Sequence, residues 1–391
     1  MMMRMFVSKK KYFSENELLE SNAFCQMLPG ASSTQLITLL AYKRGGYATA
    51  ILTFFIWILP ATVIMTTLSF VLTDYAELSG AVEFLRYIQP MAIGFLLYAF
   101  YKSFGVIIKS FLDFFIMTIA GFLLFVFFKS PWIIPLIIIS TSLLTYLNTP
   151  KKDATVASIQ PRYRWGFILA FILLFAVVGL FSELSRKQEW KDRKAFNLIE
   201  NNYRFGSMVF GGGDVLVPLM IDQYVARPTN ERLIKRNPGI IVLSKEQILI
   251  GYGIVKAIPG PVFSITAFVA GISLQKETLL YRLIVVLLAT IAIFLPGILL
   301  MFLFYPIFRG IKQHPVVASI LQAINTALVG VMLATIVYLL LDLFQTTTSL
   351  RLLEGGINLF ILLSTFFLLN INKIHPTFVV LLCLVLSKIL G

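Results

Sequence analysis

The sequence predicts an all-α integral membrane protein with about 10–12 membrane segments, arranged as two homologous, inverted repeats that contain broken helices. Three observations predict this fold class: an apolar composition, long uncharged windows and an internal duplication. Of the 391 residues, 58% are hydrophobic and 13% are charged, whereas soluble domains contain roughly 45–50% apolar residues. Lipid is therefore the main solvent of this chain.

Three windows contain no Asp, Glu, Lys or Arg: residues 46–73, 283–308 and 315–341. Each is longer than the roughly 20 residues that a helix needs to cross about 30 Å of hydrocarbon. Because lipid offers no hydrogen-bond partner, each window must satisfy its own backbone N–H and C=O groups. The windows lack the strict alternation of apolar and polar residues that a barrel strand shows, so they are predicted to be helices.

Two charge-rich segments, residues 148–164 and residues 183–204, divide the chain. Between them lies one candidate span, residues 165–181. We therefore predict a first repeat over residues 1–150, a linker with one extra span over residues 151–197, and a second repeat over residues 198–391. A single extra span would invert the second repeat relative to the first.

The duplication appears as identities at constant spacing. Four pairs are separated by 230 positions: Ser14 and Ser244, Leu19 and Leu249, Pro29 and Pro259, and Gly30 and Gly260. Pro60 matches Pro296 and Gly94 matches Gly330 at a spacing of 236, so a six-residue insertion after the proline–glycine motif reconciles the two spacings. Duplicated apolar segments interrupted by Pro and Gly are typical of secondary transporters, whereas the simpler alternative is that the prolines only kink their helices.

The two proline–glycine motifs predict breaks inside membrane segments. Proline removes a backbone donor and disfavours helix in the preceding residue, and glycine permits positive φ. Each motif is therefore expected to end one helix and start another, whose N-terminus offers unpaired N–H groups to an anion. The alternative is that the hydroxyls of the first turn only cap the helix. The candidate substrate-binding residues here are Pro29, Gly30, Ser32, Ser33 and Thr34 in the first repeat, and Pro259, Gly260, Pro261 and Ser264 in the second.

A third candidate feature is the run Gly211, Gly212 and Gly213 before Asp214, within an apolar stretch. Three glycines weaken a helix by roughly 2–3 kcal/mol, so a helix there would need a reason for them. Their N–H groups could form a nest for an anion, or the glycines could let another helix approach closely. The sequence favours neither interpretation over the other.

Lys256 and Asp214 are ionisable residues within apolar segments of the sequence. Intramembrane charges are costly and usually face a cavity or each other. We predict that the two form a pair, in which Lys256 attracts the anion and Asp214 is a candidate proton carrier; the alternative is that one or both reach a membrane interface. Gln26 occupies the position of Lys256 in the first repeat, so the two halves are expected to differ chemically there.

Several classes of function are excluded. The formal charge of +14 lies in short clusters between apolar windows, which indicates contacts to anionic membrane lipids and not to nucleic acid. The two cysteines imply no disulfide framework. We find no metal-binding Cys/His set, no nucleotide-binding loop and no catalytic Ser/His/Asp set, so we expect no cofactor, no metal and no enzyme activity.

At the glycine and proline motifs the chain resembles the chromate ion transporter family, whose members carry a Phe-Gly-Gly motif followed by an LPGP-type motif in each half. The second half carries both, at residues 210–213 and 258–261, whereas the first carries only Leu28-Pro29-Gly30-Ala31. The resemblance covers nearly the whole chain. It implies efflux of chromate, with sulfate as a competitor, by halves that lie antiparallel in the membrane.

The first glycine-rich helix of the family pattern is missing from the first repeat. Projecting Phe210 back by 230 positions places it before Met1. We therefore expect either that the natural product begins upstream of Met1 or that this repeat has lost the helix, and the second case would put transport in doubt. Ala31, where the second repeat has Pro261, is a smaller departure because alanine propagates a helix well.

We therefore expect a multi-pass transporter of the cell (inner) membrane that exports a small tetrahedral oxyanion, with chromate first, by alternating access. A dianion leaving a cell that is negative inside gains about 4.6 kcal/mol per 100 mV, at about 2.3 per charge. The alternatives are transport of sulfate or another inorganic anion, an integral membrane enzyme acting on lipid, and a non-transporting scaffold. The sequence leaves the oligomeric state open, and a homodimer is among the assemblies that it allows.

Overall fold

A computed structural model describes residues 12–74, 87–127, 133–148, 165–210, 212–229, 240–308, 315–345, 352–371 and 374–390. In these residues the chain is helical and contains no strand. The helices of the first repeat are α1 (Glu15–Met27), α2 (Ser32–Asp74), α3 (Ile88–Ile107), α4 (Phe111–Val126) and α5 (Ile133–Asn148). The extra span is α6 (Trp165–Lys187). The second repeat follows with α7 (Arg193–Met208), α8 (Leu216–Ile221), α9 (Lys245–Ala257), α10 (Ile265–Ser273), α11 (Leu279–Phe304), α12 (Pro315–Gln345), α13 (Leu352–Asn370) and α14 (Pro376–Leu390).

The helices confirm the predicted class of an all-α membrane protein. Five described helices are long and apolar enough to cross a membrane, and five further apolar helices of 10–17 residues accompany them. None of the most apolar window of α6 is buried in the protein, which fits a helix that faces lipid. This helix continues past the predicted end at residue 181, because Arg186 donates to Glu183 at 2.8 Å and so pairs the charges of its last turns.

Equivalent helices of the two repeats begin in the same way. At α1, the Ser14 hydroxyl accepts from the N–H of Glu17 at 3.2 Å, and the Glu17 carboxylate accepts from the N–H of Ser14 at 2.9 Å. At α9, Ser244 and Gln247 form the same reciprocal pair at 3.2 and 2.9 Å. These capping boxes satisfy N–H groups that a helix start leaves unpaired. The repeated serines of the sequence are therefore repeated helix starts.

The second repeat is inverted relative to the first, as predicted. α11 and the part of α2 after Gly46 are equivalent helices, because they carry the matching prolines Pro296 and Pro60. The two helices are in contact, and their contacts show their relative direction. Near one end, Arg282 of α11 donates to the Thr73 hydroxyl at 2.8 Å. At the other end, the rings of Phe302 and Tyr47 lie 5.1 Å apart. The start of one helix thus lies beside the end of the other, so the equivalent helices run antiparallel.

The packing of glycines is reciprocal between the repeats. Gly94 of α3 lies against the Leu362 carbonyl of α13, where an added Cβ would be 2.7 Å from that oxygen. Its counterpart Gly330 of α12 lies against Met117 of α4, where an added Cβ would overlap the carbonyl oxygen. Small residues let membrane helices approach closely. Each repeat therefore supplies a helix that packs into the other.

The six-residue insertion predicted from the two spacings is a turn. In the first repeat, the chain reverses within α2 at Gly46, whose φ of 73° and ψ of −162° interrupt the helix. In the second repeat, α10 ends at Ser273 and α11 begins at Leu279, so a real loop connects them. One glycine at positive φ does in the first repeat what a short loop does in the second.

Candidate functional site

Both proline–glycine motifs are tips of helical hairpins. At the first break (residues 28–31), α1 lies beside the start of α2, so that Lys43 donates to the Ser21 hydroxyl at 2.8 Å. At the second break (residues 258–261), α9 lies beside α10, and an added Cβ on Gly251 would be 2.5 Å from the Phe268 ring. The chain therefore enters at one end, reverses at the break, and returns. A membrane tolerates such irregular backbone only where protein or a cavity surrounds it.

The first break is fixed by three hydrogen bonds. Gly30 adopts a φ of 109°, which favours glycine, and its N–H donates to the Val209 carbonyl at 2.7 Å. The Gln35 amide donates to the carbonyls of Pro29 at 2.7 Å and Gly297 at 2.9 Å. The Pro29 carbonyl, which lies in the break, thus finds a donor on α2.

The second break also contains a glycine at positive φ, but fewer hydrogen bonds hold it in place. Gly260 has a φ of 154°, and Pro261 stands at the N-cap position without a side-chain hydrogen bond to the helix that follows. An added Cβ on Gly260 would be 2.5 Å from the Cβ of Ala61. On Gly30 it would be 3.0 Å from the Cα of Gly297. Ala61 and Gly297 are themselves equivalent, so each break packs on the proline-kinked helix of the other repeat.

The two breaks meet at one turn of α11. Gly30 contacts this turn at Gly297, and the Phe263 ring, two residues after the second break, lies 5.8 Å from the Phe294 ring. Phe294 and Gly297 are three residues apart, and residues at that spacing lie on one helix face. Both hairpin tips therefore reach the middle of the same transmembrane helix.

Equivalent hydroxyls follow the two breaks. Thr34 and Ser264 occupy the same position in the first turn of their half-helices, 230 residues apart. Thr34 is 1% exposed and Ser264 is 0% exposed, and neither hydroxyl has a hydrogen-bond partner among the described residues. Burying a hydroxyl without a partner costs about 1–3 kcal/mol, and here the two buried hydroxyls stand at equivalent positions of the two repeats.

The glycine loop, which the structure describes at residues 209–210 and 212–213, contacts both breaks. Val209 accepts from Gly30 of the first break, while an added Cβ on Gly213 would be 2.7 Å from the Val262 side chain beside the second break. Gly212 has a φ of 128°, so the run is not helical there. At Gly213 the structure shows the close approach that was one of the two interpretations of the glycine run. Gly211 lies outside the described residues.

We call the place where the glycine loop contacts both breaks the junction. Lys256 and Asp214 form the predicted ion pair there. Their side chains are 16% and 30% exposed. Tyr252, which is fully buried, donates its hydroxyl to the same Asp214 oxygen at 2.7 Å, and Lys256 lies over the Tyr252 ring at 5.2 Å. The pair is formally neutral, and it holds a cation beside the break from which α10 starts.

A sequence model of the chromate transporter family matches residues 1–146 and 196–388, most of the chain. The chain belongs to the chromate transporter family. The matched regions contain the helices of both repeats, apart from a few residues at the ends of α5, α7 and α14, and omit α6. An uncharacterized transporter of Methanocaldococcus jannaschii is 24% identical over 389 residues, which cover 99% of this chain and 88% of that protein. No solved structure matches the chain.

Not every predicted site residue of this chromate transporter homologue lies in the junction. Pro29 and Gly30 are buried at the first break, and Pro261 and Ser264 are buried at the second. Gln26 and Ser33 are exposed, Ser32 is half-buried, and Pro259 is exposed at the tip of its hairpin. Gln26 thus differs from its counterpart Lys256 in environment as well as in chemistry. The exposure follows from the hairpin, which turns one face of each half-helix away from the other repeat.

Arg227, one of the basic residues between apolar windows, contacts a carboxylate of the protein. Its side chain is buried and pairs with Asp222 at 2.6 Å. Arg227 and Arg204 both donate to the Gln223 amide oxygen, at 2.6 and 2.9 Å. The chain reverses at the glycine loop, so α7 and the segment after α8 lie side by side and their charges meet inside the protein. Buried charges require such partners.

The sequence reasoning missed Tyr252 and Gln35. Tyr252 lies four residues before Lys256, a spacing that places both on one helix face. Gln35 directly follows Thr34 in the first turn after the break. Neither residue carries a charge that would mark it in an apolar segment, and each has a partner that lies far away in the chain. Among the described residues, no group of His, Cys, Asp and Glu could hold a metal ion.

Proposed function

We propose that this protein exports a tetrahedral oxyanion, with chromate as the first candidate, across the cell (inner) membrane by alternating access. One observation carries the proposal: Thr34 and Ser264, equivalent residues of inverted repeats, both bury a hydroxyl without a partner at the start of a half-helix. A tetrahedral oxyanion offers oxygen acceptors in several directions. It can therefore accept from donors that approach from opposite repeats.

The charges at the junction support an anion as the substrate. The N-terminus of each half-helix carries unpaired N–H groups and the positive end of a helix dipole. Lys256 adds a full positive charge three residues before Pro259. Without substrate, Asp214 balances Lys256; we propose that a bound oxyanion takes over part of that role. Asp214 would then be released to exchange with solvent, which makes it the candidate proton carrier.

The inverted repeats supply two equivalent arrangements for alternating access. Each break packs on the kinked helix of the other repeat, through Gly30 with Gly297 and Gly260 with Ala61. Rocking one hairpin against the other around a shared site exposes that site to one side and then to the other. Export is favoured electrically, since each negative charge leaving a cell that is negative inside gains about 2.3 kcal/mol per 100 mV.

Transport by the purified protein in liposomes tests the proposal. Proteoliposomes with an imposed membrane potential are expected to move radiolabelled chromate faster than protein-free liposomes do, and excess sulfate measures competition. Transport of sulfate but not of chromate would support the alternative inorganic anion. Transport of neither would contradict the proposed function and favour the enzyme or scaffold alternatives.

A further inference from the structure

Gln35 places a hydrogen-bond acceptor in a site that should contain only donors. Its amide nitrogen faces two carbonyl oxygens, those of Pro29 at 2.7 Å and Gly297 at 2.9 Å. A carbonyl oxygen only accepts, so the NH₂ end of the amide must face them and the amide orientation is fixed. The Oε1 atom therefore points away from both. It is buried, and it has no hydrogen-bond partner among the described residues.

This oxygen lies at the first break, because the amide nitrogen of the same side chain donates to the Pro29 carbonyl. Gln35 is 1% exposed and directly follows Thr34, whose hydroxyl also lacks a described partner. An amide oxygen cannot donate. Beside a fully deprotonated oxyanion, the lone pairs of the amide oxygen would face lone pairs of the substrate oxygens, with no proton between them. Beside an oxyanion that keeps one proton, the amide oxygen accepts a hydrogen bond from that proton and is no longer buried without a partner.

The charge at the junction also favours a singly charged oxyanion over a dianion. Lys256 is paired with Asp214, so the two contribute no net formal charge. A dianion would bring two uncompensated charges into this membrane-embedded site, whereas a monoanion brings one. In the second repeat Ile265 replaces Gln35, so the acceptor is present on one side only.

We infer that the transported species is a hydrogen-bearing oxyanion monoanion, such as hydrogen chromate, and that Gln35 Oε1 selects it by accepting its proton in a hydrogen bond. This inference rests on the proposed function and deepens it. Near neutral pH, chromate and phosphate exist in part as such monoanions, whereas selenate and sulfate carry no proton. The site should therefore separate anions of similar size and shape by whether they bear a proton.

Two matched pairs of anions test the inference in the native protein at a fixed neutral pH. Chromate and selenate are similar in size and shape, as are phosphate and sulfate, and each is supplied at micromolar concentration, where dichromate does not form. Chromate is expected to be transported at least about tenfold faster than selenate, because a site built for a substrate proton rejects analogues without it. Phosphate is likewise expected to inhibit chromate transport more strongly than sulfate does.

Transport of selenate within twofold of chromate would overturn the inference and leave the proposed function intact, whereas absence of transport of all four anions would contradict the proposed function itself. Gln35→Ile copies the residue of the second repeat and removes the acceptor. It is expected to bring the chromate-to-selenate ratio close to one. This variant also loses the bonds to Pro29 and Gly297, so its elution as a single species is checked first; the anion series in the native protein decides the matter independently.

Discussion

Lys256 combines a costly location with specific partners. It lies in a membrane-embedded hairpin, paired with Asp214 and stacked over Tyr252. A charge in such a location persists only where neighbours compensate it. The pair keeps the site formally neutral, yet the lysine remains 16% exposed. Its ammonium group is thus held in place by its partners without being fully buried.

Replacing Lys256 by glutamine is expected to reduce chromate transport by about tenfold or more, because the site loses its cation and Asp214 is left beside the anion. The measurement is the initial rate of uptake into proteoliposomes at equal protein content. Lys245→Gln is the matched control, since Lys245 starts the same helix and pairs with Asp342 away from the break. Equal rates in the two variants would show that Lys256 has no part in transport.

The hydroxyls of Thr34 and Ser264 are expected to act as paired donors. Thr34→Val and Ser264→Ala should each weaken the apparent affinity for chromate by about tenfold, since a hydrogen bond to a charged group contributes about 1.5–3 kcal/mol. Thr335→Val is the control, because that buried hydroxyl already donates within its own helix, to the Val331 carbonyl at 3.0 Å. A loss of affinity in the control equal to that in the two site variants would contradict the assignment.

At this scale the sequence identifies charges better than neutral polar groups. Lys256 and Asp214 stand out because charge is rare in apolar segments. The significance of Gln35 depends on a carbonyl 262 residues away in the chain, and that of Tyr252 on an aspartate 38 residues away. No local pattern contains such a contact, so these partners become visible only in the fold.

Among the elements, close helix contacts within and between the repeats are packed through glycine. At Gly206 of α7 an added Cβ would overlap the carbonyl oxygen of Ile293 on α11, and at Gly330 of α12 it would overlap Met117 of α4. These are backbone contacts, which cannot move aside as a flexible side chain does. The close approach places the glycine loop and both breaks against the centre of the molecule.

Gly330→Ala is therefore expected to destabilise the protein by about 1–3 kcal/mol, the usual effect of overpacking. Gly179→Ala on α6 is the control, because an added Cβ there meets nothing within 4 Å, and alanine improves helix propensity by about 1 kcal/mol. Thermal unfolding in detergent compares the two. A Gly330 variant as stable as the Gly179 variant would show that α12 and α4 are not in close contact.

The elements were predictable where proline and glycine mark a break. The helix starts at Ser14 and Ser244 and the breaks at Gly30 and Gly260 follow from local chemistry. The direction of the chain after each break does not, because a kinked helix and a hairpin have the same local sequence pattern. The reversal at Gly46 was similarly hidden at the edge of an uncharged window, and the helix α7 crosses the predicted domain boundary at residue 197.

On the scale of the whole molecule, the two inverted repeats are chemically unequal at their breaks. The backbone of the breaks is repeated, but Lys256, Pro261 and Ile265 stand where the first repeat has Gln26, Ala31 and Gln35. The first break is tied to the opposite repeat by the Gln35 amide, and its counterpart Ile265 offers no donor. The second hairpin is therefore expected to be the one that moves more readily.

Inversion places equivalent residues of the two repeats on opposite faces of the membrane, and this can be measured directly. Asn16 and Glu246 are equivalent and exposed, each at the start of its hairpin. In a background with Cys25 and Cys383 replaced by alanine, Asn16→Cys and Glu246→Cys are labelled with a membrane-impermeant maleimide in right-side-out and in everted vesicles. Because the part of α2 after Gly46 and α11 run antiparallel, one cysteine is expected to react only in right-side-out vesicles and the other only in everted vesicles. Reaction of both from the same face would mean that the repeats are parallel, and a site alternating between two inverted hairpins would then be wrong.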